Sequence, residues 1–272
     1  MLKLIIPFEG AGYSEGAFAF TRLLQEQTTL LVTGVFLPEV DFARFFFFPA
    51  AFTAPAYTMG KEKADEEALD RNVAYFSDWC EKMKLPYRVH KNLYESAIPF
   101  LSRETRFADL MLIGSEVFYT AGADGPMEYL REAMRHTECP VVIVPEKFEP
   151  PRQVILAYDG SAACLFAIRQ FVALFPALCA LPACLVYVGD PHQEVPQKDL
   201  ALEFLGCHFA KLSLTQLDSA EKHAFPAWLG SRESPLLVSG SFGRSGVSEL
   251  FTRGFIVDSI RQHRTPIFVA HQ

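Results

Sequence analysis

The 272-residue sequence has no uninterrupted apolar stretch of the roughly 18 residues that a membrane-spanning helix requires. The segment from Phe42 to Tyr57 comes nearest, and Arg44, Pro49 and Pro55 break it. Basic residues are in the minority, 25 Lys and Arg against 32 Asp and Glu, for a formal charge of −7. Neutralising a nucleic-acid backbone takes clustered cations, so no such partner is expected. Met1-Leu2-Lys3-Leu4-Ile5-Ile6-Pro7 shows no signal-peptide cleavage pattern and reads as a first strand, which makes the cytoplasm the expected setting. The cysteines, Cys80, Cys139, Cys164, Cys179, Cys184 and Cys207, are scattered, as small buried thiols are, and do not form a disulfide framework. Cys179, Cys184, Cys207 and His208 match none of the paired-ligand spacings of zinc sites, and no metal is expected. There is no Gly-x-x-x-x-Gly-Lys-Ser/Thr loop, and Gly240-Ser241-Phe242-Gly243 lacks the Gly-x-Ser-x-Gly frame of a nucleophile elbow. His208 and His223 stand apart and read as ordinary surface or satisfied core groups.

What is present is core-forming material: 50% of residues are hydrophobic and 21% charged. The length exceeds that of one compact domain, so two are expected. Apolar strand-like runs alternate with helix-periodic segments, the pattern of an α/β fold with crossover units and a parallel sheet. The first series runs through strands at 2–8, 30–37, 87–93, 109–114 and 141–144, with helices at 14–27, 61–84, 96–107 and 127–136. Glu146 to Arg152, holding Pro150-Pro151, reads as a linker, since consecutive prolines suit neither a sheet ladder nor a helix interior. The second series has strands at 154–158, 183–188, 208–214, 236–239 and 267–270, with helices at 161–175, 198–205, 219–229 and 257–263.

The two series share anchors in the same order. Ile5-Ile6-Pro7-Phe8-Glu9-Gly10 corresponds to Ile155-Leu156-Ala157-Tyr158-Asp159-Gly160. Leu110-Met111-Leu112-Ile113-Gly114-Ser115 corresponds, with one residue of slack, to Pro235-Leu236-Leu237-Val238-Ser239-Gly240-Ser241, and Cys139-Pro140-Val141-Val142-Ile143-Val144 to Thr265-Pro266-Ile267-Phe268-Val269. A duplicated domain explains this order, with the copies spanning 1–146 and 152–272. In the second copy an apolar run breaks at Gly240, and Gly243 and Gly246 follow closely. Glycines just past a strand expose backbone N–H groups, and a nearby helix N-terminus adds positive partial charge, which suits a phosphate.

These residues resemble the universal stress protein family in its tandem form. The Asp159-Gly160-Ser161 turn, the loop from Gly240 to Gly246 and Thr265-Pro266 carry the resemblance. It implies two tandem Rossmann-like doubly wound domains, each a five-stranded parallel sheet of strand order 3-2-1-4-5, with a ligand at the carboxyl ends of strands one and four. It further implies a weak ATP- or AMP-binding site in the second copy. There Asp159 would face the adenine or ribose, with Gly160 and Ser161 of the same turn also among the binding residues, and Val188 would offer its backbone to the adenine. Gly240, Gly243, Arg244 and Ser245 would line the ribose and phosphates, joined by Arg253, Gly254 and Phe255. The family's loop reads Gly-two-residues-Gly-nine-residues-Gly-Ser/Thr; here Arg253 stands in the last glycine's place and Gly254 in that of the hydroxyl residue. The first copy departs further, with Glu9 in the aspartate's place and Glu116 where phosphate would lie, so nucleotide is not expected there.

The resulting reading is a non-catalytic stress-response protein that senses or buffers adenine nucleotide, paired through a homodimer or through its own two domains. Two other readings stand beside it: a nucleotide-free dimeric scaffold, and a slow ATPase acting at the 240–254 loop, for which no base is positioned by sequence. The run Phe45-Phe46-Phe47-Phe48 either packs over the chain's own domains or serves as a homodimer surface or pocket cover.

Overall fold

The computed structural model describes residues 1–9, 13–37, 59–92, 97–115, 134, 136–220, 224–240 and 264–270. They divide into two compact units, Met1–Cys139 and Pro140–Gln272. The Phe45–Phe48 run and the expected helices at 127–136 (in the main) and 257–263 lie outside the described residues.

In the first unit, β1 (Leu2–Glu9), β2 (Leu30–Leu37), β3 (Tyr87–Lys91) and β4 (Leu110–Gly114) form a parallel sheet in the order β3-β2-β1-β4. Between them come α1 (Glu15–Gln25), α2 (Met59–Lys82) and α3 (Ala97–Thr105). The start of α1 is written locally: the Ser14 hydroxyl accepts from the Ala17 N–H at 3.1 Å, and Glu15 meets the positive end of the helix dipole. β1 and β2 pair along their whole length, from Leu2↔Leu30 to Glu9↔Leu37, whereas β1 meets β4 only at Leu4↔Leu110 and Ile5↔Met111. Pro7, with no N–H to give to a ladder, sits past the last β1–β4 pair. Aromatic rings fill one face. Phe8 stacks on Phe36 at 4.7 Å and meets Phe76 edge-on at 5.5 Å, and Gly34 leaves them room, since a Cβ there would lie 2.7 Å from the Phe36 ring. Arg106 grips Glu138 with two hydrogen bonds, at 2.8 and 2.7 Å, and holds that carboxyl below its usual range.

The second unit contains β5 (Val141–Val144), β6 (Gln153–Tyr158), β7 (Ala183–Gly189), β8 (Leu212–Asp218), β9 (Pro235–Gly240) and β10 (Ile267–Ala270). Its helices are α4 (Ala162–Leu174), α5 (Lys198–Gly206) and α6 (Ala224–Gly230). The run β8-β7-β6-β9-β10 is parallel and reproduces the 3-2-1-4-5 order within this unit. β5 joins β10 antiparallel, from Val141↔Val269 to Ile143↔Ile267. Strand spacing alone does not reveal that pairing. The all-buried pattern of β5 and β10, without alternation, is what two covered faces require. Phe171 and Phe175 of the α4 end pack on Phe268 at 5.5 and 5.7 Å.

One strand lies elsewhere than the periodicity indicates. The expected strand at 208–214 is found at Leu212–Asp218, its register set by Ala183↔Leu212. Phe209 imitates a strand residue because it is fully buried, yet its N–H bonds back to the Leu205 carbonyl at 2.9 Å and closes α5. Of the helix expected at 219–229, the described residues show Ala224–Gly230, and at its expected start the Ala220 N–H donates to the Asp218 carboxylate at 2.8 Å in a turn.

All six cysteines are free thiols. Burial pushes Cys80 and Cys139 up to about 12, and Cys164 and Cys179 up to about 11, from an ordinary 9.0. The unfolded chain therefore releases these protons first as pH rises. Stability from this source is fully present below pH 9.0 and is lost as pH climbs towards 11. The melting temperature is expected to be level up to about 9 and to fall above it. A level profile through pH 11, measured by circular dichroism, would contradict the burial of these thiols.

Candidate functional site

The candidate site is built where strands part. The β6–β9 register runs from Gln153↔Pro235 to Leu156↔Val238 and stops, although β6 continues to Tyr158 and β9 to Gly240. On its other side β6 stays paired to β7 through Tyr158↔Tyr187. A sheet whose connections depart in opposite directions from two neighbouring strands opens in this way at its switch point.

Of the residues the sequence singles out, Asp159, Gly160, Ser161, Val188 and Gly240 are described, and Gly243, Arg244, Ser245, Arg253, Gly254 and Phe255 lie outside the described residues. The described ones share one end of three adjacent strands. Asp159 accepts from the Ser161 N–H at 2.8 Å, and the Ser161 hydroxyl in turn accepts from the Cys164 N–H at 3.2 Å, capping α4. Between them Gly160 adopts φ +80°, a conformation open to glycine at little cost. Val188 lies one residue past the last β6–β7 pair, part-buried. Gly240 closes β9 directly beneath the first turn of α4. A Cβ on it would stand 2.9 Å from the Ala163 carbonyl carbon and oxygen and from the Cys164 nitrogen. The glycine thus admits the helix N-terminus to the gap between the strands, with its positive partial charge turned to the carboxyl ends.

Sequence reasoning misses the strap over this end. Tyr158 donates its hydroxyl to the Pro196 carbonyl at 2.8 Å, and the Pro196 ring lies where a Cβ on Gly160 would come within 2.8 Å. Burial pushes the Tyr158 phenol up, so it stays a donor. Gln216 fastens the same loop further back, giving hydrogen bonds to the Asp190 and Gln193 carbonyls at 2.8 and 3.0 Å. One signal was available: the repeat sets Tyr158 against Phe8, and the added hydroxyl on a buried ring calls for a partner. The outer side of this loop borders an open groove of about 630 Å³ lined by His192, Glu194, Lys198, Leu214 and Gln216 among others. Among the described residues, none of those anticipated for nucleotide lines that groove.

Among the described residues, no three His, Cys, Asp or Glu side chains converge as metal ligands, and no helix is long and apolar enough to cross a membrane. At the corresponding end of the first unit, Gly114 and Ser115 are buried at the end of β4, while the Glu9 side chain and Glu116 lie outside the described residues.

No protein-family model matches the chain. Universal stress protein Slr1230 of Synechocystis is 25% identical over 163 residues, which are 58% of this chain and 56% of that relative, so the match spans little more than half of its length. A universal stress protein of Archaeoglobus fulgidus superposes with a TM-score of 0.62 at 11% identity, over 100% of this chain and 96% of that one. A Pseudomonas aeruginosa protein provisionally assigned to the universal stress proteins gives 0.53 at 10% identity, over 100% and 93%. The likeness to these two structures is one of fold.

Proposed function

We propose that this chain, which is similar in sequence to one universal stress protein and shares the fold of another, is a non-catalytic stress-response protein of that family in its tandem form, whose second unit binds ATP or AMP weakly. The observation that carries the proposal is the parting of β6 and β9 past Leu156↔Val238, which gathers the Asp159–Ser161 turn, Gly240 and the α4 N-terminus at one opening. Anionic phosphate is favoured at such a helix end. Binding is weak because the Tyr158–Pro196 strap rests on Gly160 and has to yield to a ligand. Free thiols throughout suit a reducing, cytoplasmic setting. The proposal includes pairing through a homodimer or between the chain's own domains.

The strap also favours a second reading, a nucleotide-free scaffold in which the opening is permanently covered. Thermal unfolding with ATP or AMP separates the two. Ligand tenfold above its Kd adds about 1.4 kcal/mol of stability, so millimolar nucleotide is expected to raise the melting temperature of the wild type. Asp159→Ala and Gly243→Val are expected to abolish that rise. No rise in the wild type selects the scaffold, and phosphate release above a Gly243→Val control selects slow hydrolysis instead.

A further inference from the structure

We propose that Tyr13 and Tyr75 form an oxidative modification site, two phenols that a one-electron oxidant joins into a dityrosine clamp between the segment entering α1 and the body of α2. The rings lie 4.5 Å apart between centroids with a 34° tilt, at the short end of the range for aromatic pairs. Tyr13 is 42% exposed, so small oxidants reach it. Tyr75 donates its hydroxyl to a Glu15 carboxylate oxygen at 2.8 Å. Burial foremost, and then Glu15 and Tyr13, push the Tyr75 phenol up, so it is neutral at ordinary pH. A neutral phenol gives up an electron readily only when its proton leaves with it, and Glu15 stands ready to receive that proton. Trp79, one turn further along α2, stacks on Phe18 at 4.4 Å, and Phe18 lies 5.8 Å from Tyr75, so a third oxidisable ring stands one phenyl ring away from the pair.

The chemistry balances within the pair. Each phenol passes one electron to an equivalent of oxidant. The Tyr75 proton goes to Glu15 and the Tyr13 proton to water. The two phenoxyl radicals couple through ring carbons ortho to oxygen, forming one C–C bond. The hydrogen on each joined carbon then moves to its phenoxyl oxygen through solvent, restoring both aromatic rings. Two electrons and two protons leave in all, and two oxidant equivalents are reduced. Phe8, at the end of β1, is buried and 6.0 Å from Phe18, so the new bond would tie this aromatic layer covalently across α1 and α2.

The test exposes the full chain, dilute enough to suppress coupling between molecules, to ruthenium(III) tris-bipyridyl generated photochemically with persulfate. Peptide mass spectrometry of the monomeric product is expected to show the Tyr13 and Tyr75 peptides joined with the loss of two hydrogens. Tyr13→Phe, a change at an exposed position, is expected to eliminate most of the monomeric dityrosine fluorescence. Glu15→Gln is expected to lower the coupling yield several-fold in a chain that still folds, with only the small fall in melting temperature that follows from removing a first-turn negative charge. Joined peptides drawn from other tyrosines, or fluorescence undiminished in Tyr13→Phe, would overturn the site. An unchanged yield in Glu15→Gln would overturn Glu15 as the proton acceptor.

Discussion

Phe8→Ala is expected to cost the first unit about 3–5 kcal/mol, the loss typical of truncating a fully buried aromatic. The ring is 1% exposed and touches three others: Phe36 stacked at 4.7 Å, Phe76 edge-on at 5.5 Å and Phe18 tilted at 6.0 Å. Those partners are anchored on β2, α2 and α1, three elements that cannot all close in on one vacated volume. The cavity term therefore adds to the lost transfer energy. Phe36 and Phe76 also confront Gly34 closely, which further limits how far they can shift. Urea denaturation should show a lower midpoint with an unchanged slope. Phe107→Ala, at a site 66% exposed, is the matched control and is expected to stay within about 0.5 kcal/mol of the wild type. If Phe8→Ala proved as mild as Phe107→Ala, the aromatic layer would not be the core of this unit.

Gly240→Ala is expected to destabilise the second unit by about 1–3 kcal/mol, the range for forcing added volume into a packed site. The collision is with backbone, since the new methyl would lie 2.9 Å from atoms of Ala163 and Cys164. Those atoms belong to the first turn of α4, which the Ser161 cap and the Asp159 turn hold in place. Relief requires moving a helix against β9. Gly34→Ala differs in kind, because its close neighbours are side-chain ring atoms of Phe36 and Phe76 and not backbone. Gly206, with nothing within 4 Å of an added Cβ, is the neutral comparison at the end of α5. A Gly240→Ala chain with a wild-type urea midpoint would show that α4 does not sit on the end of β9. The same substitution bears on the proposed nucleotide site, because displacing α4 carries its N-terminus away from the opening.

Much of the second unit is legible from local signals. Ser161 three residues before Cys164, and Asp159 two before Ser161, specify a cap and a turn using atoms only a few bonds apart. The failure at β8 has the opposite cause: Phe209 is buried by packing at the end of α5, and burial without partners looks the same in a helix stop as in a strand. The strap likewise needs Tyr158 and Pro196 to meet across 38 positions, a contact no sequence window contains.

By itself the sequence determined the alternation of strands and helices, the duplication and the Asp159–Gly160–Ser161 turn, because these follow from side-chain periodicity and from hydrogen bonds between near neighbours. The tertiary structure alone decided that β5 runs antiparallel to β10, that β6 and β9 part after Leu156↔Val238, and that Pro196 lies over Gly160. Partner choice and close approach between distant segments depend on the fit of whole surfaces, and no residue's type or spacing encodes that fit.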